Sequence, residues 1–76
     1  DMDSALADFE TALKISPQDV EAYRNRGITY YKKGNLDSAL ADFEAVLRIN
    51  PQDPDAYHMR DLVLRKKDAQ QRGDKP

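Results

Sequence analysis

The chain contains no cysteine and a single histidine, and no stretch of it is apolar for long. Without cysteine it has no disulfide, no thiolate nucleophile and no Cys-ligated zinc, and its redox compartment cannot be inferred. A membrane-spanning helix needs ~20 predominantly apolar residues, which no segment supplies, and no signal-peptide pattern opens the sequence. We therefore expect a soluble chain without membrane contact, and the cytoplasm is the default location.

The length and the charge limit the size of the fold and the kinds of association it can form. A chain of 76 residues makes at most one small domain with a thin stability margin. Its net charge of −2 conceals a gradient, because residues 1–19 carry five acids against one lysine and residues 65–76 carry five bases against two acids. The opposite charges could orient head-to-tail association, or they could be solvated faces whose ion pairs contribute only about 0 to 1 kcal/mol each.

An internal repeat is the strongest signal in the sequence. The letters DSALADFE occur at residues 3–10 and again, 34 positions later, at residues 37–44. Over the longer segments 1–19 and 35–53 the two copies share 13 identities in 19 positions. A fixed period of this length predicts a repeat protein, in which each unit buries its apolar face only against its neighbours.

The spacing of apolar residues predicts four helices and no strand. Two similar stripes recur at steps of three and four residues, the pattern of an amphipathic helix: Met2, Ala5, Leu6, Phe9, Ala12 and Leu13, then Leu36, Ala39, Leu40, Phe43, Val46 and Leu47. A third stripe contains Val20, Tyr23, Gly27 and Tyr30, and a less regular fourth contains Ala56, Tyr57, Leu62, Val63 and Leu64.

The breaks between these helices have recognisable chemistry. Pro17 and Pro51 follow helix ends, and Asp19 and Asp53 are predicted to cap the next helices by accepting from their free N–H groups. Gly34 follows two lysines, where a left-handed C-terminal cap is expected.

The chain resembles the tetratricopeptide repeat family, a 34-residue helix-turn-helix unit, from residue 1 to about residue 67. The resemblance rests on the spacing of Tyr23, Gly27, Tyr30, Ala39, Phe43 and Pro51, and on Ala5, Phe9 and Pro17 in the preceding unit. It implies an all-α, right-handed superhelix of paired A and B helices. Residues 1–16 would be the B helix of a partial repeat, 20–53 a complete repeat, 54–72 an A-type capping helix and 73–76 a tail.

Three positions depart from the family pattern. Arg26 and Arg60 stand where the family usually has leucine, and Asp61 stands where it has the packing glycine. In the complete repeat, Gly27 and Ala39 are predicted to mark the closest approach of the A and B helices. A buried carboxylate at such a crossing costs several kcal/mol without a partner. We therefore expect no B helix against the Asp61 face.

The first helix has no A-helix partner within the chain. Its residues Ala5, Phe9 and Ala12 are shaped for such a partner. We therefore expect either that the chain is the C-terminal piece of a longer array or that another molecule covers this edge. The simplest cover is a second copy, in a two-fold dimer through the first helix.

No residue pattern indicates catalysis, a cofactor or a metal. His58 has neither a carboxylate nor a nucleophile beside it in the sequence, and the serines lack a nucleophile-elbow context. Asp53 and Asp55 are explained as acids at a helix N-terminus. The basic C-terminal segment lacks interleaved aromatics and belongs to an acidic chain, so we expect no nucleic-acid binding.

The resemblance also implies an inner groove lined by stacked A helices. Its predicted lining residues are Glu21, Arg24, Ile28, Tyr31 and Lys32 on the second helix and Asp55, His58, Leu62, Arg65 and Lys66 on the fourth. Bases around an apolar centre suit a peptide with acidic and apolar side chains, although the same residues could be ordinary solvated positions. The leading hypothesis is a protein-protein interaction scaffold, and the alternative is a self-assembly module.

Overall fold

A computed structural model of the chain describes residues 1–73, which form four α-helices and no strand. Helix α1 spans Met2–Ile15, α2 spans Val20–Lys33, α3 spans Leu36–Ile49 and α4 spans Pro54–Gly73. The predicted all-α helical-repeat class is confirmed. Helix α4 ends one residue later than predicted, and the rest of the predicted tail, residues 74–76, lies outside the described residues. No helix in the described part is long and apolar enough to cross a membrane.

Short polar side chains begin the helices, as the sequence predicts. The Asp19 carboxylate accepts from the Ala22 N–H at 3.2 Å, and the Asp53 carboxylate accepts from the Ala56 N–H at the same distance. Asp1 and Asn35 cap α1 and α3 in the same way. Each cap satisfies one backbone donor that has no partner within its helix.

The turn between α2 and α3 depends on Gly34. Its φ of 87° lies in the left-handed region, which a side chain makes costly and glycine adopts freely. The Asn35 N–H then reaches back to the Tyr30 carbonyl at 2.9 Å, closing the C-terminus of α2. The predicted C-terminal cap is confirmed, and it turns the chain within two residues.

The core lies between α2, α3 and α4. Phe43, Val46 and Val63 are its largest fully buried side chains. Ile28 and Tyr31, on α2, pack against the cluster that contains Phe43 and Val63 while remaining partly accessible. Ile28 and Tyr31 therefore contribute both to the core and to the accessible surface.

Helix α1 lies at the edge of the structure. Among the described residues it packs against α2 and makes no set of contacts with α3 or α4. None of its residues is buried, whereas its repeat equivalent α3 buries six. The Cα atoms extend over 47 × 30 × 13 Å, a single layer in which each helix is covered only by its neighbours.

The 34-residue period also appears in the ion pairs. Lys33 donates to the Asp3 carboxylate at 2.5 Å, and Lys67, 34 residues later, donates to Asp37 at 2.6 Å. Each pair joins the first turn of one helix to the C-terminal half of the next helix in the stack. The aspartates are largely exposed, so water and salt screen both pairs and they add little to stability.

Gly27 of α2 lies directly against side chains of α3. A Cβ atom at this position would lie 2.8 Å from Cε1 of Phe43 and 3.2 Å from Cβ of Asp42. The Phe43 ring is therefore what a side chain at Gly27 would meet first, while Ala39, the other small residue predicted at this crossing, is fully buried on the same helix. The requirement for glycine is correct, and its cause is a fully buried ring with no room to move.

Candidate functional site

The predicted groove residues lie on α2 and α4, two helices in direct contact. Ile28 and Tyr31 of α2 and Leu62 of α4 are partly buried and form its apolar part. The polar members are exposed except Arg24, which is partly buried: Glu21, Arg24, Lys32, Asp55, His58, Arg65 and Lys66. We call the three apolar residues and two of the exposed cations the strip: Ile28, Tyr31, Lys32, Leu62 and Lys66.

A cation–π contact joins the two helices within the strip. The Lys66 ammonium stands over the Tyr31 ring, 5.2 Å from its centroid, a cation–π geometry. Arg65 instead turns back along α4 to Asp61, with Nε 3.1 Å from the carboxylate. Lys32 makes no ion pair within residues 1–73. Lys32 and Lys66 are therefore the strip's cations without a carboxylate partner in the described part of the chain.

Arg24 is held by an internal partner. Its guanidinium donates to the Asp53 carboxylate at 2.5 Å, and Asp53 is only 4% exposed. The other oxygen of Asp53 accepts from the N–H groups of Asp55 and Ala56 at the start of α4. The hydrogen bond from Arg24 lowers the pKa of Asp53, against the opposing effect of burial. The charge of Arg24 thus serves mainly to fix the entry of α4 onto α2.

A second buried acid pairs with the arginine that departs from the family pattern. Arg26 donates to Asp42 through Nε at 2.9 Å and through a terminal nitrogen at 2.7 Å, a two-bond pair. The guanidinium also lies 5.7 Å from the Tyr23 ring centroid and 5.9 Å from that of Tyr30. The bond to Asp42 raises the pKa of Arg26, although burial acts the other way.

Neither pair was predicted from the sequence. The available signal was the departure itself: Arg26 in a place usually held by leucine, and Asp42 beside the apolar stripe of α3. An arginine at a position that faces a neighbouring helix needs an acid there, because an unpaired buried charge is costly. The partner could not be chosen without the geometry that brings residues 16 and 29 positions apart together.

The predicted edge residues Ala5, Phe9 and Ala12 are partly accessible. Phe43, the repeat equivalent of Phe9, is 0% exposed, so α1 lacks the cover that α3 receives from α2. Ile15, at the end of α1, is 80% exposed. A depression of about 420 Å³ beside this helix is lined by Glu10, Leu13, Lys14 and Arg26.

The residues considered for chemistry are dispersed. His58 lies exposed on α4, and no group of three or more potential metal ligands occurs within residues 1–73. The buried carboxylates within residues 1–73, those of Asp42 and Asp53, are both bonded to arginine. What the described surface offers is a basic, partly apolar strip and an open helix face.

The chain is similar to a known family of repeat proteins. A family profile described as tetratricopeptide repeat matches residues 1–63, most of the chain. No protein of curated function shows significant sequence similarity to it. Repeats of the matched family are typically interaction modules without catalytic machinery.

Proposed function

The chain belongs to the tetratricopeptide repeat family, and we propose that it is a binding scaffold whose α2–α4 strip holds a peptide segment with acidic and apolar side chains. The family suggests protein-protein interaction as the general role. The finer proposal concerns the five residues of the strip, Ile28, Tyr31, Lys32, Leu62 and Lys66. We further propose that the chain performs no catalysis and needs no cofactor.

The contact between Lys66 and Tyr31 is the observation that carries this proposal. It places a cation from α4 against an aromatic ring of α2, so that a bound carboxylate could reach the ammonium while an apolar neighbour packs on the ring. Lys32 adds an exposed cation at the end of α2. Charge-assisted bonds to a carboxylate are roughly twice as strong as neutral ones, which favours an acidic segment.

The repeat assignment supports the same role. We propose that residues 1–16 are a B helix, 20–53 a complete repeat and 54–72 an A-type helix. The strip then lies on two successive A helices, as does the peptide groove of this family. Arg24, at the border of the strip, would contribute its stem to the apolar surface while its charge remains with Asp53.

Selection from a random peptide display library tests the proposal. The wild-type chain should enrich peptides in which aspartate or glutamate lies beside leucine, isoleucine or phenylalanine. A variant with Lys32→Glu and Lys66→Glu should lose those peptides and enrich basic ones instead. Arg24 is unsuitable for reversal, because its replacement leaves the buried Asp53 unpaired.

The matched control reverses two exposed cations outside the strip. Lys14→Glu on α1 together with Arg48→Glu on α3 changes the net charge by the same amount and should leave the selected sequences unchanged. If all three proteins enriched the same peptides, the strip would be excluded as the binding surface. If the enriched peptides depended only on the net charge of the protein, binding at a defined site would be excluded.

Self-assembly through α1 is a second candidate. The observation in its favour is the open face of α1, with Phe9 partly accessible and Met2 and Ile15 exposed. Fully burying a phenylalanine contributes about 1.5 to 3 kcal/mol, enough to draw two copies together when both are concentrated. We propose Ala5, Phe9 and Ala12 as the contact residues of such a dimer.

A further inference from the structure

Helices α1 and α3 contain the same eight letters in different surroundings. On α3, Asp42 is 3% exposed and Phe43 is 0% exposed beneath α2. On α1 the equivalent Asp8 is exposed and Phe9 is partly accessible. Asp8 makes no ion pair with any residue in the described range. The structure thus contains one covered and one uncovered copy of the same helix face.

The covered copy shows what its cover requires. Arg26 of α2 binds Asp42 through two hydrogen bonds. The next residue, Gly27, leaves the space that the Phe43 ring occupies. Tyr23 and Tyr30 flank the guanidinium. The essential chemistry is an arginine followed directly by a glycine on an amphipathic helix.

We propose that the open face of α1, formed by Ala5, Asp8, Phe9 and Ala12, binds an amphipathic helix carrying an arginine–glycine dipeptide. The arginine bonds to the Asp8 carboxylate, and the glycine lies over the Phe9 ring. This surface is separate from the strip on α2 and α4, so the inference does not rest on the proposed function.

The geometry disfavours the two covers that a second copy of this chain could supply. Its α4 carries Arg60 where α2 has Arg26, but Asp61 replaces the glycine. Because a Cβ at Gly27 would lie only 2.8 Å from the Phe43 ring, the side chain of Asp61 is expected to meet the equivalent ring of Phe9. It would also bring a second carboxylate towards Asp8. Its α1 would place more acids against Asp8, because that helix carries three acids and one lysine. Charge and space therefore both select the arginine–glycine helix.

A fluorescent peptide with the sequence of residues 19–34, DVEAYRNRGITYYKKG, is a suitable probe. Replacing Asn25 by lysine in the peptide and joining its amine to the Glu21 carboxyl as a lactam, at two positions exposed in α2, would hold the peptide helical. Fluorescence anisotropy with the full chain should show saturable binding. Asp8→Asn in the protein should weaken binding by about tenfold or more, since a charge-assisted two-bond pair is lost. Arg26→Gln in the peptide should weaken binding by a similar factor. The Arg26→Gln peptide should bind the Asp8→Asn protein only slightly more weakly than either single variant binds its partner, because both changes remove the same ion pair.

Two controls make the result specific. Asp68→Asn removes an exposed acid from α4 and should not alter binding. Gly27→Leu in the peptide should abolish binding, because the leucine would meet Phe9. The inference would be overturned by an absence of binding at millimolar peptide, by equal binding to the Asp8→Asn protein, or by equal binding of the Gly27→Leu peptide. Loss of binding with Lys32→Glu and Lys66→Glu, but not with Asp8→Asn, would place the peptide on the strip and would also overturn it.

Discussion

At the scale of single residues, two arginine–aspartate pairs organise the molecule. Asp53 holds α4 by its first N–H groups and holds α2 through Arg24. Asp42 joins α3 to α2 by accepting two hydrogen bonds from Arg26. A buried pair adds little stability over an apolar contact, but the loss of one partner is costly because the other is left buried and charged. Removal of either arginine should therefore matter more than removal of an exposed one.

The Asp53 pair gives the first prediction. Arg24→Gln should lower the free energy of unfolding at pH 7 by about 1 to 3 kcal/mol, since it removes a hydrogen bond to a buried charged group. Arg65→Gln, which removes only an exposed pair with Asp61, should change it by less than about 0.5 kcal/mol. Urea unfolding followed by circular dichroism measures both values.

The pH dependence of the same variant has a defined sign. Because the folded pKa of Asp53 is lowered, the pair stabilises the protein above the unfolded value of about 4, and this contribution is lost as the pH falls through the folded pKa. The gap between wild type and Arg24→Gln should accordingly narrow as the pH falls below about 4. A gap that is equal at pH 7 and in acid would show that the charge of Asp53 plays no part.

At the scale of helices, the local signals were sufficient for the boundaries. Prolines, capping aspartates and Gly34 act on their own few residues, so the sequence alone located the turns and caps to within a residue or two. The side-chain contacts between helices could not be predicted in this way. Arg24 was predicted as a groove cation, which fits its place on α2, but its bond to Asp53 depends on how α4 packs. The Phe43 ring opposite Gly27 likewise depends on the crossing, which periodicity does not specify.

That crossing gives the prediction at this scale. Gly27→Leu should destabilise the chain by at least about 1 to 3 kcal/mol, because it overpacks a position where even a Cβ would approach the buried ring of Phe43. The matched change Asp61→Leu places the same side chain at the equivalent, exposed position of α4 and should be tolerated. Thermal unfolding of the two variants decides the matter. The proposed repeat register would be refuted if Asp61→Leu unfolded the chain while Gly27→Leu left its stability unchanged.

At the scale of the whole molecule, the single layer of helices leaves one end open. Helix α1 buries no residue fully, and its acids would oppose one another in a pair of copies. We therefore expect self-association to be weak, with dimers appearing by sedimentation only at high micromolar concentration. Phe9→Glu should abolish them, while Leu64→Glu, at an exposed apolar position on α4, should not. A chain that stays monomeric throughout would remove self-assembly as a function.

We expect the strip between α2 and α4 to be the surface that binds peptides. Two-dimensional ¹H–¹⁵N NMR, recorded while an acidic, apolar peptide from the display selection is added, locates the bound peptide residue by residue. The amide signals of Tyr31, Leu62 and Lys66 should shift progressively while those of α1 remain unchanged. Shifts confined to α1, or an absence of shifts with Lys32 and Lys66 intact, would show that the peptide does not bind the strip.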